Sequence, residues 1–255
     1  MNSTTEKLAF LFGLLGNIVS FMVFLAPMPT FYRIYQKKSS EGFQSIPYVV
    51  ALLSAMLLLY YGLLKTNAML IISINAFGIV IELAYLIFYF TYAPKKQRIF
   101  TLKLVLLVIV MYGLTVAITI FLLSGTKRVS AVGWICAVFN IAVFAAPLSI
   151  MRQVIRTRSV EYMPFTLSLF LTLCATMWFF YGLFTQDYYI ALPNVLGFLF
   201  GIAQMILYMV YRNSGKDHNE IEAKTSTNGG DLEMRYKQLS VTSTSHQKLY
   251  RSIST

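Results

Sequence analysis

The chain has 255 residues, of which 57% are apolar and only 12% are charged, and its formal net charge is +11. Soluble domains carry about twice that share of charged residues, and the mean hydropathy here is +0.65. This composition argues against a soluble globular domain and predicts a protein that crosses a membrane several times.

Seven apolar segments are each long enough to cross a bilayer as a helix, which takes about 20 residues. They cover roughly residues 7–28, 46–64, 68–92, 101–124, 130–151, 165–185 and 189–211. The first segment is longer than the apolar core of a signal peptide, and only Lys7 stands where a basic region should precede it. We therefore expect it to be retained as a membrane helix.

The first three segments recur as the last three at an offset of 120 residues. Matched pairs include Ala26 and Ala146, Pro27 and Pro147, Tyr61 and Tyr181, and, after one residue is lost from a loop, Asn75 and Asn194. The fourth segment has no counterpart, and this odd span lets both copies cross the membrane in the same direction. The pattern predicts an all-α membrane protein with two parallel three-helix repeats and a linking helix (3+1+3), which is a transporter arrangement.

The predicted boundaries are 1–99 for the first repeat, 100–126 for the linking helix and 127–212 for the second repeat. Residues 213–255 are rich in Ser, Thr, Asn, Lys and Glu, which predicts a disordered tail. If the N-terminus is extracellular, twelve Lys and Arg residues near the spans fall on the cytoplasmic side and four on the other. This bias predicts a cytoplasmic C-terminus and attraction to anionic lipid, with no role in nucleic-acid binding.

The membrane segments contain no set of residues suited to catalysis. Both histidines, His218 and His246, lie in the predicted tail, and both cysteines, Cys136 and Cys174, lie inside spans. Two cysteines cannot form a disulfide framework, and a metal site needs more ligands. We therefore predict a protein that is not an enzyme and that holds no metal or cofactor.

Polar residues inside the spans are the candidates for a substrate path, because polar groups at bilayer depth are costly. Asn75 and Asn194 occupy matched positions near the middle of the third span of each copy. An amide offers two donors and two acceptor lone pairs, which suits the hydroxyls of a neutral sugar. The alternative is a hydrogen bond between helices that only stabilises packing, and the repeat-matched pair favours binding.

Trp178 lies well inside the second span of the second copy, where its indole face suits stacking on a sugar ring. Its repeat mate is Leu58. Ser54 and Cys174, also matched, lie one helical turn earlier on the same face. Val23 and Val143 are matched small residues of the first spans, and they are candidates for setting the width of a cavity.

Four prolines near the cytoplasmic side predict a hinge, because proline removes a backbone hydrogen bond and kinks a helix. They are Pro27, Pro47, Pro147 and Pro164. At the outer ends of the second spans, Tyr61 and Tyr181 with Lys65 and Asp187 predict an opposite gate. An exposed ion pair contributes little there.

Two further polar residues lie within the third spans. Gln204, matched to Tyr85, is a candidate for an inner-gate contact. Glu82 is the one carboxylate deep in a span and has Gly201 as its mate, so it is not part of the symmetric set. Proton coupling at Glu82 is one hypothesis, and a hydrogen-bonded packing role is the favoured one.

Five long segments, in order over about residues 7 to 212, resemble the plant SWEET sugar transporters. They read AFLFGLLGNIVSFMVFLAPMPTFYRI, KKSSEGFQSIPYVVAL, LIISINAFG, VFAAPLSIMRQVIRTRSVEYMPF and ALPNVLGFLFG. They are most similar to the sucrose-transporting subgroup of the plasma membrane. The resemblance implies facilitated sugar diffusion by alternating access in a homo-oligomer or a hetero-oligomer with related transporters.

The resemblance also assigns roles to positions. It implies that the proline tetrad, the pocket asparagines and the pocket tryptophan are the residues named above. It implies that substrate size is tuned at Val23, Ser54, Val143 and Cys174. Two departures affect the pocket, because many members have a second Trp where this chain has Leu58 and a Ser or Asn where it has Cys174.

Several alternatives stay open at this point. Within sugar transport, a hexose-selective or a proton-coupled carrier is possible. A PQ-loop carrier of amino acids is less favoured, because each first span is followed by Pro-Met or Pro-Leu instead of Pro-Gln. A seven-helix receptor shares the topology, but the internal repeat argues against it.

Overall fold

The protein is described by a computed structural model, which covers residues 3–40, 42–160, 163 and 165–212. Every regular element within these residues is an α-helix. The helices are α1 (Ser3–Leu25), α2 (Met28–Lys37), α3 (Ile46–Leu64), α4 (Met69–Tyr92), α5 (Lys95–Leu122), α6 (Gly125–Val143), α7 (Ala145–Thr157), α8 (Phe165–Phe184) and α9 (Tyr188–Tyr211). Pro164 and the predicted tail, residues 213–255, lie outside the described residues.

The described residues contain seven spans long and apolar enough to cross a membrane, as the sequence predicted. Helices α1 and α2 together form the first span, and α6 and α7 form the fifth. The three-plus-one-plus-three fold class is thus confirmed.

Three spans are longer than the apolar segments that predicted them. The first helical span continues to Lys37 instead of residue 28, and the fifth continues to Thr157 instead of residue 151. The linking helix α5 begins at Lys95 instead of residue 101. Basic residues lower the hydropathy at these ends without breaking the helix, because Lys and Arg are good helix formers. The predicted ends were therefore wrong where amphipathic or basic turns continue a helix.

The two repeats pack in the same way. In each repeat the third helix contacts both others, since α4 packs on α1 and α3, and α9 packs on α6 and α8. The first helix of each repeat also lies against the second helix of the other, α1 against α8 and α6 against α3. The linking helix α5 packs on α3 and α6, and many of its other apolar side chains are exposed, as expected for contact with lipid.

Backbone conformation repeats even where the side chains differ. Lys38 and Arg158, 120 positions apart, both end an amphipathic helix in the left-handed region with φ of 51°. Asn67 and Gln186 adopt φ of 58° and 55° in the turns before α4 and α9. Non-glycine residues adopt this conformation at a cost of about 1 kcal/mol or more, so its recurrence indicates that the repeats share their turn geometry.

Two arginines bond carbonyl groups at helix ends, one at the end of α4 and one at the end of the linking helix α5. Arg98 donates from Nε to the Ala93 carbonyl oxygen at 2.6 Å, at the end of α4. Arg128 donates from Nε and an Nη to the carbonyls of the last turn of α5, including two bonds to the Leu123 oxygen at 3.1 and 2.8 Å. The last carbonyls of a helix lack intrahelical partners and carry partial negative charge, which a guanidinium satisfies.

We predict that Arg128→Gln lowers the free energy of unfolding by about 1–2 kcal/mol, because charge-assisted bonds to the end of α5 are lost. Thermal unfolding of the purified protein in detergent measures the change. Lys127→Gln is the matched control, since it removes the same charge from an exposed neighbour. Equal melting temperatures for the two variants would contradict this account of α5.

Candidate functional site

A cavity of about 750 Å³ lies between the two repeats. Its wall is formed by residues of α1, α3, α4, α6, α7, α8 and α9. The cavity extends to Ile46 and Pro47, at the start of α3, and reaches Tyr189 and Ile190 at the start of α9. The lining residues carry no charged side chain, so the wall suits a neutral ligand.

Both predicted asparagines lie on the cavity wall. Asn75 donates from Nδ2 to the Ile71 carbonyl oxygen at 2.8 Å, and Asn194 donates to the Ile190 oxygen at 2.7 Å. Each bond reaches back four residues along its own helix, so it fixes one N–H of the amide. Within the described residues this is the one hydrogen bond of each amide, which leaves its Oδ1 and second N–H for a ligand.

Trp178 lies on the wall with its N–H already bonded. The Nε1 of Trp178 donates to Ser20 Oγ at 2.9 Å, and its ring meets that of Tyr181 edge-on with centroids 5.3 Å apart. The indole therefore offers a ligand its face and not its N–H. Leu58, the repeat mate, also lines the cavity, so one wall is aromatic and the opposite one aliphatic.

Ser54 on the wall donates to another wall residue, Asn140, with Oγ–Oδ1 at 2.9 Å. Asn140 in turn donates from Nδ2 to the Cys136 carbonyl oxygen at 2.8 Å. Its second N–H has no partner within the described residues. This side of the cavity thus carries a third carboxamide.

Cys174, the repeat mate of Ser54, does not line the cavity. Its Sγ lies 3.1 Å from Ser20 Oγ. This contact is the repeat counterpart of the bond between Ser54 and Asn140, because Ser20 matches Asn140 and Cys174 matches Ser54. Equivalent positions therefore bond where α1 meets α8 and where α6 meets α3. Sequence reasoning missed Ser20 and Asn140, although the offset of 120 places two polar residues at matched points of the first spans.

The two valines of the first spans are not equivalent. Val143 lines the cavity, whereas Val23 is half-buried on α1 and does not. The next residue, Phe24, occupies the wall instead. Its ring packs on Gly78, where an added Cβ would lie 2.5 Å from the ring tip. Two of the four predicted size-tuning positions, Ser54 and Val143, therefore line the cavity, and Cys174 contacts the wall residue Ser20.

The described prolines stand where helices begin or break. Pro27 precedes α2 at the break in the first span, and Pro147 lies in the first turn of α7 at the matched break. Pro47 is in the first turn of α3 and also lines the cavity. These positions are helix breaks or first turns at the basic end of the bundle, and Pro164 lies outside the described residues.

Beyond the Tyr189 end of the cavity, a buried carboxylate joins the two repeats. Tyr61 OH donates to Asp187, with its oxygen 3.0 Å from both carboxylate oxygens. Lys65 Nζ lies 2.5 Å from Asp187 Oδ2. The Asp187 side chain is fully buried and Lys65 is 25% exposed, so the carboxylate of this pair is not exposed as the sequence suggested. The turn between α8 and α9 encloses the carboxylate, and these bonds join α3 of the first repeat to α9 of the second.

Tyr181, Gln204 and Glu82 are all buried. Tyr181 supports Trp178, and Gln204 lies on α9 outside the cavity wall. Glu82 also lies outside the wall, and its Oε2 has no hydrogen-bond partner within the described residues. The structure thus brings Tyr181 to the site and separates Gln204 and Glu82 from it.

Comparison with known proteins supplies an independent result. The model of a family described as sugar efflux transporters for intercellular exchange matches residues 10–97 and 130–216. These two ranges correspond to the two repeats and omit most of the linking helix.

Individual proteins that this chain resembles are also sugar transporters by name. The chain is 66% identical over 215 residues to the bidirectional sugar transporter NEC1 of Petunia hybrida, covering 84% of this chain and 81% of that protein. It is 61% identical over 228 residues to the bidirectional sugar transporter SWEET9 of Arabidopsis thaliana, covering 88% of each chain. A eukaryotic SWEET transporter solved at 3.7 Å resolution matches with a TM-score of 0.79 and 36% identity, covering 83% of this chain and all of that one.

We predict that Asp187→Asn lowers the free energy of unfolding by about 2–3 kcal/mol, because Lys65 and Tyr61 lose a buried charged acceptor. The melting temperature in detergent should fall by several degrees. Lys65→Gln should cost at least as much, because it leaves the fully buried Asp187 carboxylate without its cation. A fully stable Asp187→Asn variant would show that this contact does not hold the two repeats together.

Proposed function

Because the chain belongs to the SWEET family of sugar transporters, we propose that it carries sucrose by bidirectional facilitated diffusion. The observation that supports this most directly is the uncharged cavity between the repeats, with a matched asparagine from each repeat on its wall. Transport requires an enclosed site that either side of the membrane can reach in turn, and a site between two repeats meets this requirement.

The chemistry of the wall suits a sugar. Asn75 and Asn194 offer amide groups to hydroxyls, and Trp178 offers an aromatic face to the C–H groups of a ring. A volume of about 750 Å³ lies within the range of small-molecule sites, about 300–1,000 Å³. It has room for a disaccharide, and the small side chains of Ser54 and Val143 leave that room free.

Uniport is favoured over proton coupling by the position of the ionisable groups. The wall carries no carboxylate, and Glu82 lies outside it. A proton-coupled carrier places a titratable group on the substrate path. Glu82 is the candidate proton carrier for the proton-coupled alternative, because its buried Oε2 has no hydrogen-bond partner within the described residues. An uncoupler tests this alternative.

We assign alternating access to motion of the repeats against each other. The cavity extends towards the basic end, which we place in the cytoplasm, and is closed beyond Tyr189 by the contact of Asp187 with Tyr61 and Lys65. This arrangement corresponds to an inward-facing state. The outer gate then comprises Tyr61, Tyr181 and Asp187. The inner hinge and gate comprise Pro27, Pro47, Pro147, Pro164 and Gln204.

We place the protein in the plasma membrane with its N-terminus outside. The exposed cations of α2, the start of α5 and α7 share one end of the bundle, and the positive-inside rule assigns that end to the cytoplasm. We also propose assembly as a homo-oligomer or with related transporters. Cysteine labelling from each side tests the orientation, and crosslinking in native membranes tests assembly.

The test of the proposed function is uptake of radiolabelled sucrose and glucose by transport-deficient cells, with and without a proton uncoupler. We expect saturable sucrose uptake that survives the uncoupler, together with efflux from preloaded cells. Glucose uptake without sucrose uptake would indicate a hexose carrier. Loss of all uptake with the uncoupler would indicate coupling and assign a role to Glu82.

We predict that Asn75→Ala and Asn194→Ala each abolish most sucrose uptake while surface expression is retained, because each removes hydrogen bonds to the sugar. Surface biotinylation provides the expression measurement. Asn17→Ala is a matched control, since Asn17 bonds the Leu70 carbonyl and Ser73 away from the wall. Normal uptake by the double variant Asn75→Ala, Asn194→Ala would exclude these residues as the binding site.

We predict that Val143→Leu reduces sucrose uptake more than glucose uptake, because the added carbon enters the cavity and the larger sugar needs that volume. Val23→Leu is the repeat-matched control and should change the ratio of the two uptakes much less, since Val23 lies off the wall. Competition between labelled sucrose and labelled glucose in the same cells gives the ratio. An equal effect of both variants would contradict the lining seen here.

A further inference from the structure

The face of Trp178 is supported by groups from the other repeat. Helix α8 packs along α1, and two α1 residues one turn apart meet the indole. Ser20 Oγ accepts the indole N–H at 2.9 Å. At Gly16, an added Cβ would lie 3.1 Å from Trp178 Cε2 and 3.2 Å from Nε1, so the ring lies against the bare backbone of α1.

We propose that Ser20 and Gly16 are positioning residues that fix the ring plane of Trp178 and affect sugar binding through the indole. This rests on the proposed function, since it assumes that the sugar stacks on Trp178. Ser20 fixes the rotation of the ring by holding its N–H. Gly16 fixes the distance of the ring from α1, because an added Cβ would displace the indole by a few tenths of an ångström.

The repeat mates show why the arrangement is specific to this side. Gly16 corresponds to Cys136, and Ser20 corresponds to Asn140, which bonds Ser54. On that side the wall residue is Leu58, which has no N–H to be held and needs no bare backbone opposite it. The glycine and the acceptor hydroxyl therefore occur together where the aromatic ring is.

The hydroxyl of Ser20 has a second contact that orients it. Cys174 Sγ lies 3.1 Å from the same oxygen, one turn before Trp178 on α8. A serine has one O–H donor and two acceptor lone pairs. The O–H can thus point to the sulfur while a lone pair accepts the indole N–H, so the geometry holds without water.

The chain offers a direct optical test, because its two tryptophans are Trp134 and Trp178. Trp134 is 54% exposed on α6 and does not line the cavity, so Trp134→Phe gives a protein whose emission reports Trp178. Its sucrose uptake should equal that of the wild type. In this background Ser20→Ala, Ser20→Thr and Gly16→Ala are purified in lipid nanodiscs, and emission, acrylamide quenching and sucrose titrations are recorded.

We expect Ser20→Ala to shift the sugar-free emission to the red and to increase quenching, because the indole N–H is released to cavity water. The KM for sucrose should rise roughly fivefold with a smaller change in maximal rate, as for the loss of one hydrogen bond. Ser20→Thr retains the hydroxyl and should restore both spectrum and KM towards the parent. Gly16→Ala should change the emission and raise the KM although Ser20 is intact.

Asn17→Ala is the control on the same helix, since it loosens α1 from α4 without touching the indole. Its emission should match the parent, and a shift equal to that of Ser20→Ala would overturn the proposal in favour of general loosening. Unchanged emission and KM in both Ser20→Ala and Gly16→Ala would also overturn it. A parent protein that shows neither uptake nor a sucrose-dependent spectral change would instead refute the proposed function, while the sugar-free spectra still decide the positioning.

Discussion

The bilayer supplies no hydrogen-bond partners, and this constraint governs where polar groups occur in the bundle. Within the described helices, Asn75, Asn140 and Asn194 each return one amide N–H to the carbonyl four residues earlier. The amides are thereby partly satisfied by their own helices, and all three lie on the wall of the cavity between the repeats. Such a space is the only place in the membrane where a partly free amide is inexpensive.

The two repeats pack through equivalent helix contacts, but different side chains at matched positions give the cavity two unlike sides. The helix pairs α1 with α8 and α6 with α3 present the same positions to each other, yet one contact holds Trp178 on Ser20 and the other pairs Ser54 with Asn140. The two sides of the cavity consequently differ, with the aromatic face of Trp178 on one side and Leu58 beside the Ser54–Asn140 pair on the other. A ligand with two unlike halves, such as a disaccharide of two different rings, would bind such a cavity more favourably in one orientation than in the other.

The sequence was sufficient for the topology but not for every contact. Hydropathy located α3 at Ile46–Leu64, because that span ends at polar turns on both sides. It ended the first and fifth spans too early, since the basic turns of α2 and α7 continue the helix outside the apolar run. The internal repeat, allowing for one residue lost from a loop, identified the asparagine pair because both mates are identical. It did not draw attention to Ser20 and Asn140, because matched residues of different chemistry are hard to recognise as a pair without seeing their partners.

The burial of Asp187 could not be predicted from the sequence. The turn before α9 carries this carboxylate, whereas the matched turn before α4 has Ala68 as its cap. A turn residue reads as exposed from sequence, yet here it is enclosed and bonded to Tyr61 and Lys65. Two equivalent carboxylates would have doubled the contacts that hold this end closed. Breaking a buried pair costs about 3–5 kcal/mol, and a carrier must pass between states that differ by only a few kcal/mol. A second buried pair at this end would add a cost of similar size to each opening, so the absence of a mate for Asp187 is consistent with the proposed alternating access.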